Sequence, residues 1–146
     1  MEVGTDTGRK KLATLWYVWV GILFLLFFVQ SLFGQYGKDL KEVSAAWGWF
    51  LPTIMPTLSL ITGILILEAS RKRARETTVD RFFFRITFGF SIAYLLVVTL
   101  TILLEPVVPL EISQRDFMQV ANLGLAPFQG LVSGLLGIFF VRAKKT

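Results

Sequence analysis

The sequence contains no cysteine and no histidine. A chain without these residues forms no disulfide and has no thiol nucleophile, and it lacks the side chains that hold most zinc ions and haem groups. The pattern of the remaining residues gives no nucleophile beside a base, no metal-ligand cluster and no glycine-rich phosphate loop. We therefore expect no catalytic residue, no metal or cofactor site and no enzymatic activity.

Charge is also scarce, and it is unevenly spread. Charged residues make up 17% of the 146 residues, and 54% are hydrophobic. Four windows carry no charge at all, namely 12–37, 43–67, 86–104 and 117–141. A helix needs roughly 20 apolar residues to cross a bilayer, whereas each helix of a soluble four-helix bundle, the alternative, would carry a charged face.

The charge-free windows predict an all-α, polytopic membrane protein in which residues 1–146 form a single domain of four transmembrane helices. These helices are expected at about 12–34, 45–75, 80–104 and 114–142. Two helix starts have the spacing of a side-chain cap, Thr77 with Asp80 and Ser113 with Asp116.

Positive charge indicates the orientation of the chain. Twelve of the fifteen Lys and Arg residues lie in the N-terminal tail, the central loop and the C-terminal tail. These segments share one side of a membrane only if the chain crosses it four times. Because Lys and Arg concentrate in cytoplasmic loops, we predict that both termini are cytoplasmic. The expected location is the plasma membrane, which in a bacterium is the inner membrane.

A basic cluster in the central loop is a candidate site for anionic lipid. Its members are Arg71, Lys72, Arg73 and Arg75. The requirement for a fixed topology explains the cluster equally well. The lipid bilayer is the expected partner of the whole chain. We expect no nucleic-acid partner, because orientation accounts for the net charge of +5.

The fourth predicted helix has one face of small and polar side chains. Small residues let helices approach closely, and amides form hydrogen bonds between helices in lipid. The candidates for helix packing or for lining a pore are Gln119, Asn122, Gln129, Gly130, Ser133, Gly134 and Gly137. Packing inside the four-helix unit, contact with another subunit and a water-filled lining are three alternatives for this face. Pro127 is a candidate hinge, with a static kink as the alternative.

These features favour a small, non-enzymatic membrane subunit that forms a homo-oligomer or membrane complex, or docks a cytoplasmic protein partner. The sharper version is a pore-forming or membrane-perturbing effector lined by the polar face of helix 4. The alternative is a small dimeric carrier for an uncharged or lipophilic solute, with a pocket near Gln129 and Tyr94. No carboxylate or basic side chain lies in the middle of a predicted span, which argues against proton coupling.

The predicted topology can be tested with single cysteines, because the native chain has none. Cysteines at Gln35 and Ser113 are expected to react with a membrane-impermeant thiol reagent in intact cells. A cysteine at Thr78 is expected to react only after the cells are opened. Labelling of Thr78→Cys from outside would overturn the model of four crossings with cytoplasmic ends.

Overall fold

Four long helices form the body of the protein in the computed structural model, which describes residues 2–70, 78–107 and 113–141. They are α1 (Thr5–Leu32), α2 (Leu40–Ser70), α3 (Arg81–Leu104) and α4 (Gln114–Val141). Each is long and apolar enough to cross a membrane. The prediction of four such helices is confirmed, and they indicate a multi-pass membrane protein.

Helix boundaries follow local residue preferences as well as the charge-free windows. Helix α1 begins at Thr5, seven residues before the expected start. Its first turns contain Arg9 and two lysines, which lie outside the apolar window but are good helix formers. Helix α2 continues to Ser70. The expected extension of α2 to residue 75 and the last residue expected for helix 4, 142, lie outside the described residues.

The caps of α3 and α4 use short polar side chains. In α4, the backbone N–H of Asp116 donates to Ser113 Oγ at 3.2 Å, and Ser113 Oγ donates to Asp116 Oδ2 at 2.7 Å. The predicted cap at Ser113 is therefore confirmed. In α3, the N-cap is Asp80, whose carboxylate accepts from the backbone N–H of Phe82 at 3.0 Å. Thr77 lies outside the described residues.

A pair of short strands joins two distant parts of the chain. Strand β1 (Glu2–Gly4) pairs antiparallel with β2 (Thr78–Asp80). The sequence did not predict these strands, because a three-residue strand has too little periodicity to be read and an isolated pair is at best marginally stable. The pair places the start of α1 beside the start of α3.

The bundle therefore has two distinct ends. The terminal end contains Thr5 and Arg81, which follow the paired strands, together with Phe140 in the last turn of α4. The loop end contains Leu32 and Arg115, at the opposite ends of α1 and α4. Helix α4 packs against both α2 and α3, and α1 packs against the other faces of the same two helices.

A buried arginine connects α1 to α4 at the terminal end. Arg9 is only 5% exposed, and its guanidinium donates a hydrogen bond to the backbone carbonyl of Phe140. The same guanidinium lies 6.0 Å from the centre of the Phe140 ring. Carbonyls in the last turn of a helix have no donor within the helix, and a cation is favourable there. We call this contact the Arg9 clasp.

A glycine makes the close approach at the clasp possible. A Cβ atom on Gly8 would lie 2.9 Å from Phe139 Cζ and 3.2 Å from Phe84 Cδ2. Any larger side chain would push α1 away from the aromatic rings of α3 and α4.

Stacked aromatic rings pack together at the loop end. The ring of Phe27 lies 4.3 Å from that of Phe50 and 4.4 Å from that of Tyr36, measured between ring centres. The Tyr36 hydroxyl donates to Gln30 Oε1 at 2.6 Å. Burial, reinforced by the negative charge of Glu105, raises the pKa of Tyr36 above its usual value, so the hydroxyl keeps its proton for this bond.

Replacement of Arg9 is expected to weaken the terminal end. The Arg9→Ala change removes a charge-assisted hydrogen bond and leaves the carbonyl of Phe140 without that donor, so we expect a loss of about 1.5–3 kcal/mol in unfolding free energy. The measurement is thermal or denaturant unfolding in a mild detergent. Lys10→Ala is the control, because Lys10 carries the same charge on the next residue but is exposed. Equal effects of the two substitutions would contradict the clasp.

Candidate functional site

Two prolines lie inside α2, Pro52 and Pro56. A proline nitrogen carries no hydrogen, so Pro56 provides no donor for the carbonyl four residues earlier. That carbonyl belongs to Pro52. A polar backbone atom without a partner is costly in a lipid environment, so the helix requires a donor from elsewhere.

Helices α3 and α4 provide donors at this point. The Gln129 side-chain amide donates to the carbonyl oxygen of Pro52 at 3.1 Å and to that of Thr53 at 2.8 Å. The Tyr94 hydroxyl donates to the same Thr53 oxygen at 2.7 Å. We call these four residues the carbonyl node. Gln129 and Tyr94 are the two residues beside which the sequence predicted a carrier pocket, and the structure brings them together at a shared acceptor.

Tyr94 contacts all three of the other helices. Its hydroxyl binds α2, and its ring centre lies 6.0 Å from that of Trp16 in α1 and 5.6 Å from that of Phe128 in α4. The side chain is fully buried. The carbonyl node is therefore the point at which all four helices meet.

A second polar contact joins α2 and α4 one turn further along. Thr57 Oγ1 and Ser133 Oγ lie 3.0 Å apart and share a hydrogen bond. Gln129 and Ser133, two of the seven packing or pore-lining candidates, thus face α2 within the same chain.

The other candidates on α4 are arranged differently. Gly137 is half-buried, and a Cβ there would lie 3.9 Å from a methyl group of Leu60. Gly130 and Gly134 are exposed, and a Cβ on either would meet nothing within 4 Å. Gln119 and Asn122 are also exposed, and neither side chain forms a hydrogen bond within the part of the chain that the structure describes.

One continuous row on α4 is left uncovered by the described parts of the chain, residues 2–70, 78–107 and 113–141. Its members are spaced three or four residues apart, so they lie on one side of the helix. They are Gln119, Leu123, Ala126, Gly130 and Gly134, all exposed. We call this set the glycine row. It contains no charged residue.

The remaining predicted features are the candidate hinge at Pro127 and the basic cluster of the central loop. Pro127 is exposed and lies inside α4, which remains one helix from Gln114 to Val141. Its role as a hinge stays a prediction. The basic cluster from Arg71 to Arg75 lies outside the described residues.

An open groove separates α2 from α4 at the loop end, and we call it the loop-end groove. Its outer part has a volume of about 570 Å³ and is lined by Leu40, Lys41, Ser44, Ala45 and Arg115. Its deeper part has a volume of about 370 Å³ and continues past Gly48, Trp49, Met118, Gln119 and Asn122. Ala45 and Arg115 line both parts, so the groove is continuous.

Comparison with protein-family models, curated proteins and solved structures finds no match to this chain. The function is therefore argued from the residues of the chain itself.

Sequence reasoning did not identify Thr53, Trp49 or Lys41 as part of a site. A signal for the carbonyl next to Thr53 was available, because Pro56 leaves the Pro52 carbonyl in need of a donor from a neighbouring helix. The sequence does not indicate which donor meets it. The groove residues Lys41 and Trp49 have no such signal, since their meeting with α4 depends on the rotation of both helices.

The carbonyl node predicts a specific coupling between Gln129 and Pro56. The Gln129→Leu change leaves the Pro52 carbonyl without a donor, so we expect a loss of about 1 kcal/mol in unfolding free energy. In a Pro56→Ala background the loss is expected to be smaller, because residue 56 then donates its own N–H to that carbonyl. The measurement is a double-mutant cycle by unfolding in detergent. Ser59→Leu is the control, being a polar-to-leucine change at an exposed position of α2. Additive effects would contradict the node.

Proposed function

We propose that this chain is a non-enzymatic membrane subunit that assembles with a second copy of itself through the glycine row of α4. The observation that supports this most directly is the uncovered state of Gly130 and Gly134. Small residues spaced four apart are typical of close contacts between transmembrane helices, because they let two backbones approach. Within this chain the two glycines do not serve that purpose.

The chemistry of the row fits a copy of itself. The row is uncharged, so two copies meet without repulsion. A carboxamide both donates and accepts hydrogen bonds, so Gln119 can pair with Gln119 of a second copy across a two-fold axis. Asn122, at the edge of the row, has the same capacity. Such pairing would satisfy amides that otherwise face lipid.

The carbonyl node bears on the two rival functions. A pore lined by helix 4 would require Gln129 and Ser133 to face water, and both are hydrogen bonded to α2. A carrier pocket beside Gln129 and Tyr94 would use donors that are bonded to Thr53. The assembly function uses only residues that the monomer leaves free, and we therefore favour it.

We further propose that the subunit lies in the plasma membrane with its terminal end in the cytoplasm. The terminal end of the described chain contains Arg9, Lys10, Lys11, Arg81 and Arg85, beside Glu2, Asp6 and Asp80. The loop end contains Lys38, Lys41 and Arg115, beside Asp39, Glu42, Glu105 and Asp116. This difference in charge favours a cytoplasmic terminal end. A cytoplasmic protein partner would then meet the tails and the loop between α2 and α3.

Assembly through the glycine row predicts the effect of filling it. The Gly134→Leu change, and Gly130→Leu independently, are expected to shift the mass in detergent from a dimer towards the 16.5 kDa monomer. A leucine at either position meets nothing within its own chain, so the fold is expected to persist. The measurement is native mass spectrometry or light scattering of the purified protein.

The matched control is Gly89→Leu, because Gly89 is an exposed glycine on α3 that also has open space around it. This control is expected to remain dimeric. A wild-type mass equal to that of one chain, or a mass unchanged by both α4 substitutions, would refute assembly through the row.

A further inference from the structure

The loop-end groove has features of a ligand site, and its outer part contains no residue that the assembly function uses. Two cations, Lys41 from α2 and Arg115 from α4, line its outer part. Both are exposed, and neither forms an ion pair with a carboxylate in the described ranges. Helices α2 and α4 therefore each present a cation without an ion-pair partner in the described ranges to one open space.

The described acidic residues near this end do not line the groove. Asp116 is hydrogen bonded to Ser113 in the cap of α4. Glu42 lies over the turn at Gly37, where its side chain occupies the space that a Cβ would need. No acidic side chain of the described chain lines either part of the groove.

A buried donor in the deeper part also lacks an acceptor. Trp49 is only 9% exposed and lines the groove, and its indole N–H has no hydrogen-bond partner among the described residues. Trp49 follows Lys41 by eight residues, which is about 12 Å along the helix. The groove thus presents two cations at its mouth, and the unsatisfied indole N–H lies buried beneath its deeper part.

The floor of the groove has open space where Gly48 carries no side chain. Gly48 forms part of it, and a Cβ on Gly48 would meet nothing within 4 Å. Helix α2 therefore leaves room beside Trp49 for an apolar chain that lies parallel to the helices.

We propose that the loop-end groove binds one anionic phospholipid, with its phosphate at Lys41 and Arg115 and an acyl chain along Gly48. The order of groups in the lipid matches the order in the groove. Phosphate comes first, at the cations. The ester carbonyls lie below it, and the acyl chain continues into the deeper part beside Gly48. The proposed lipid binding does not depend on which side of the membrane the loop end faces.

The test uses purified, delipidated full-length protein titrated with phosphatidylglycerol and, separately, with phosphatidylcholine. Bound lipid is counted by native mass spectrometry. Wild type is expected to bind phosphatidylglycerol more tightly than phosphatidylcholine. Lys41→Gln and Arg115→Gln are each expected to weaken phosphatidylglycerol binding about fivefold. Lys38→Gln is the control, because Lys38 is an exposed lysine close to the groove that does not line it.

A second variant tests the chain-binding part without altering charge. Gly48→Leu fills the open space and is expected to reduce the binding of phosphatidylglycerol while both cations remain. Gly89→Leu, on another helix, is expected to bind as wild type does. Equal binding of the two lipids by wild type, or undiminished phosphatidylglycerol binding in Gly48→Leu or in both Lys41→Gln and Arg115→Gln, would overturn the proposal.

Lipid binding and assembly can fail independently. Gly134→Leu lies outside the groove and is expected to change the oligomeric mass without changing lipid binding. Conversely, the cation variants are expected to lose lipid and keep the wild-type oligomeric mass.

Discussion

The backbone carbonyls beside Pro56 determine how the four helices meet. A proline in a transmembrane helix leaves one carbonyl without its helical donor, and no water is present in the bilayer core to replace it. Gln129, from α4, donates to that carbonyl of Pro52 and to the neighbouring carbonyl of Thr53. Tyr94, from α3, donates to the same Thr53 carbonyl. Because Tyr94 also stacks on Trp16, the same node orients α1. The packing of the bundle therefore depends on a defect in one helix.

The node also divides the surface of α4 between two purposes. The side that carries Gln129 and Ser133 is committed to α2 by hydrogen bonds. Rotation of the helix then directs Gly130 and Gly134 outward, where they are uncovered. The proposed assembly surface is thus a consequence of internal packing. Towards the loop end, the space between the same two helices forms the groove.

Much of the architecture follows from the distribution of charge along the chain. Each crossing requires about 20 apolar residues in succession, and this requirement can be read from a linear sequence. The charge-free windows located the four helices, and the small and polar residues of the fourth predicted a polar face on α4. Neither pattern could assign the role of each residue on that face. Gln129 and Gly130 are neighbours in the sequence and belong to the same predicted face, yet one faces α2 and the other is uncovered.

The sequence by itself determined that four helices form and that each is suited to lipid, because hydrophobicity and length act within one segment. Only the tertiary structure decided which polar groups meet. Gln129 and Pro52 are 77 residues apart, and Arg9 and Phe140 are 131 apart. Such contacts depend on the rotation, depth and tilt of helices relative to one another. Those quantities are set by packing and hydrogen bonds between helices, and a pattern within one helix carries no information about its neighbour.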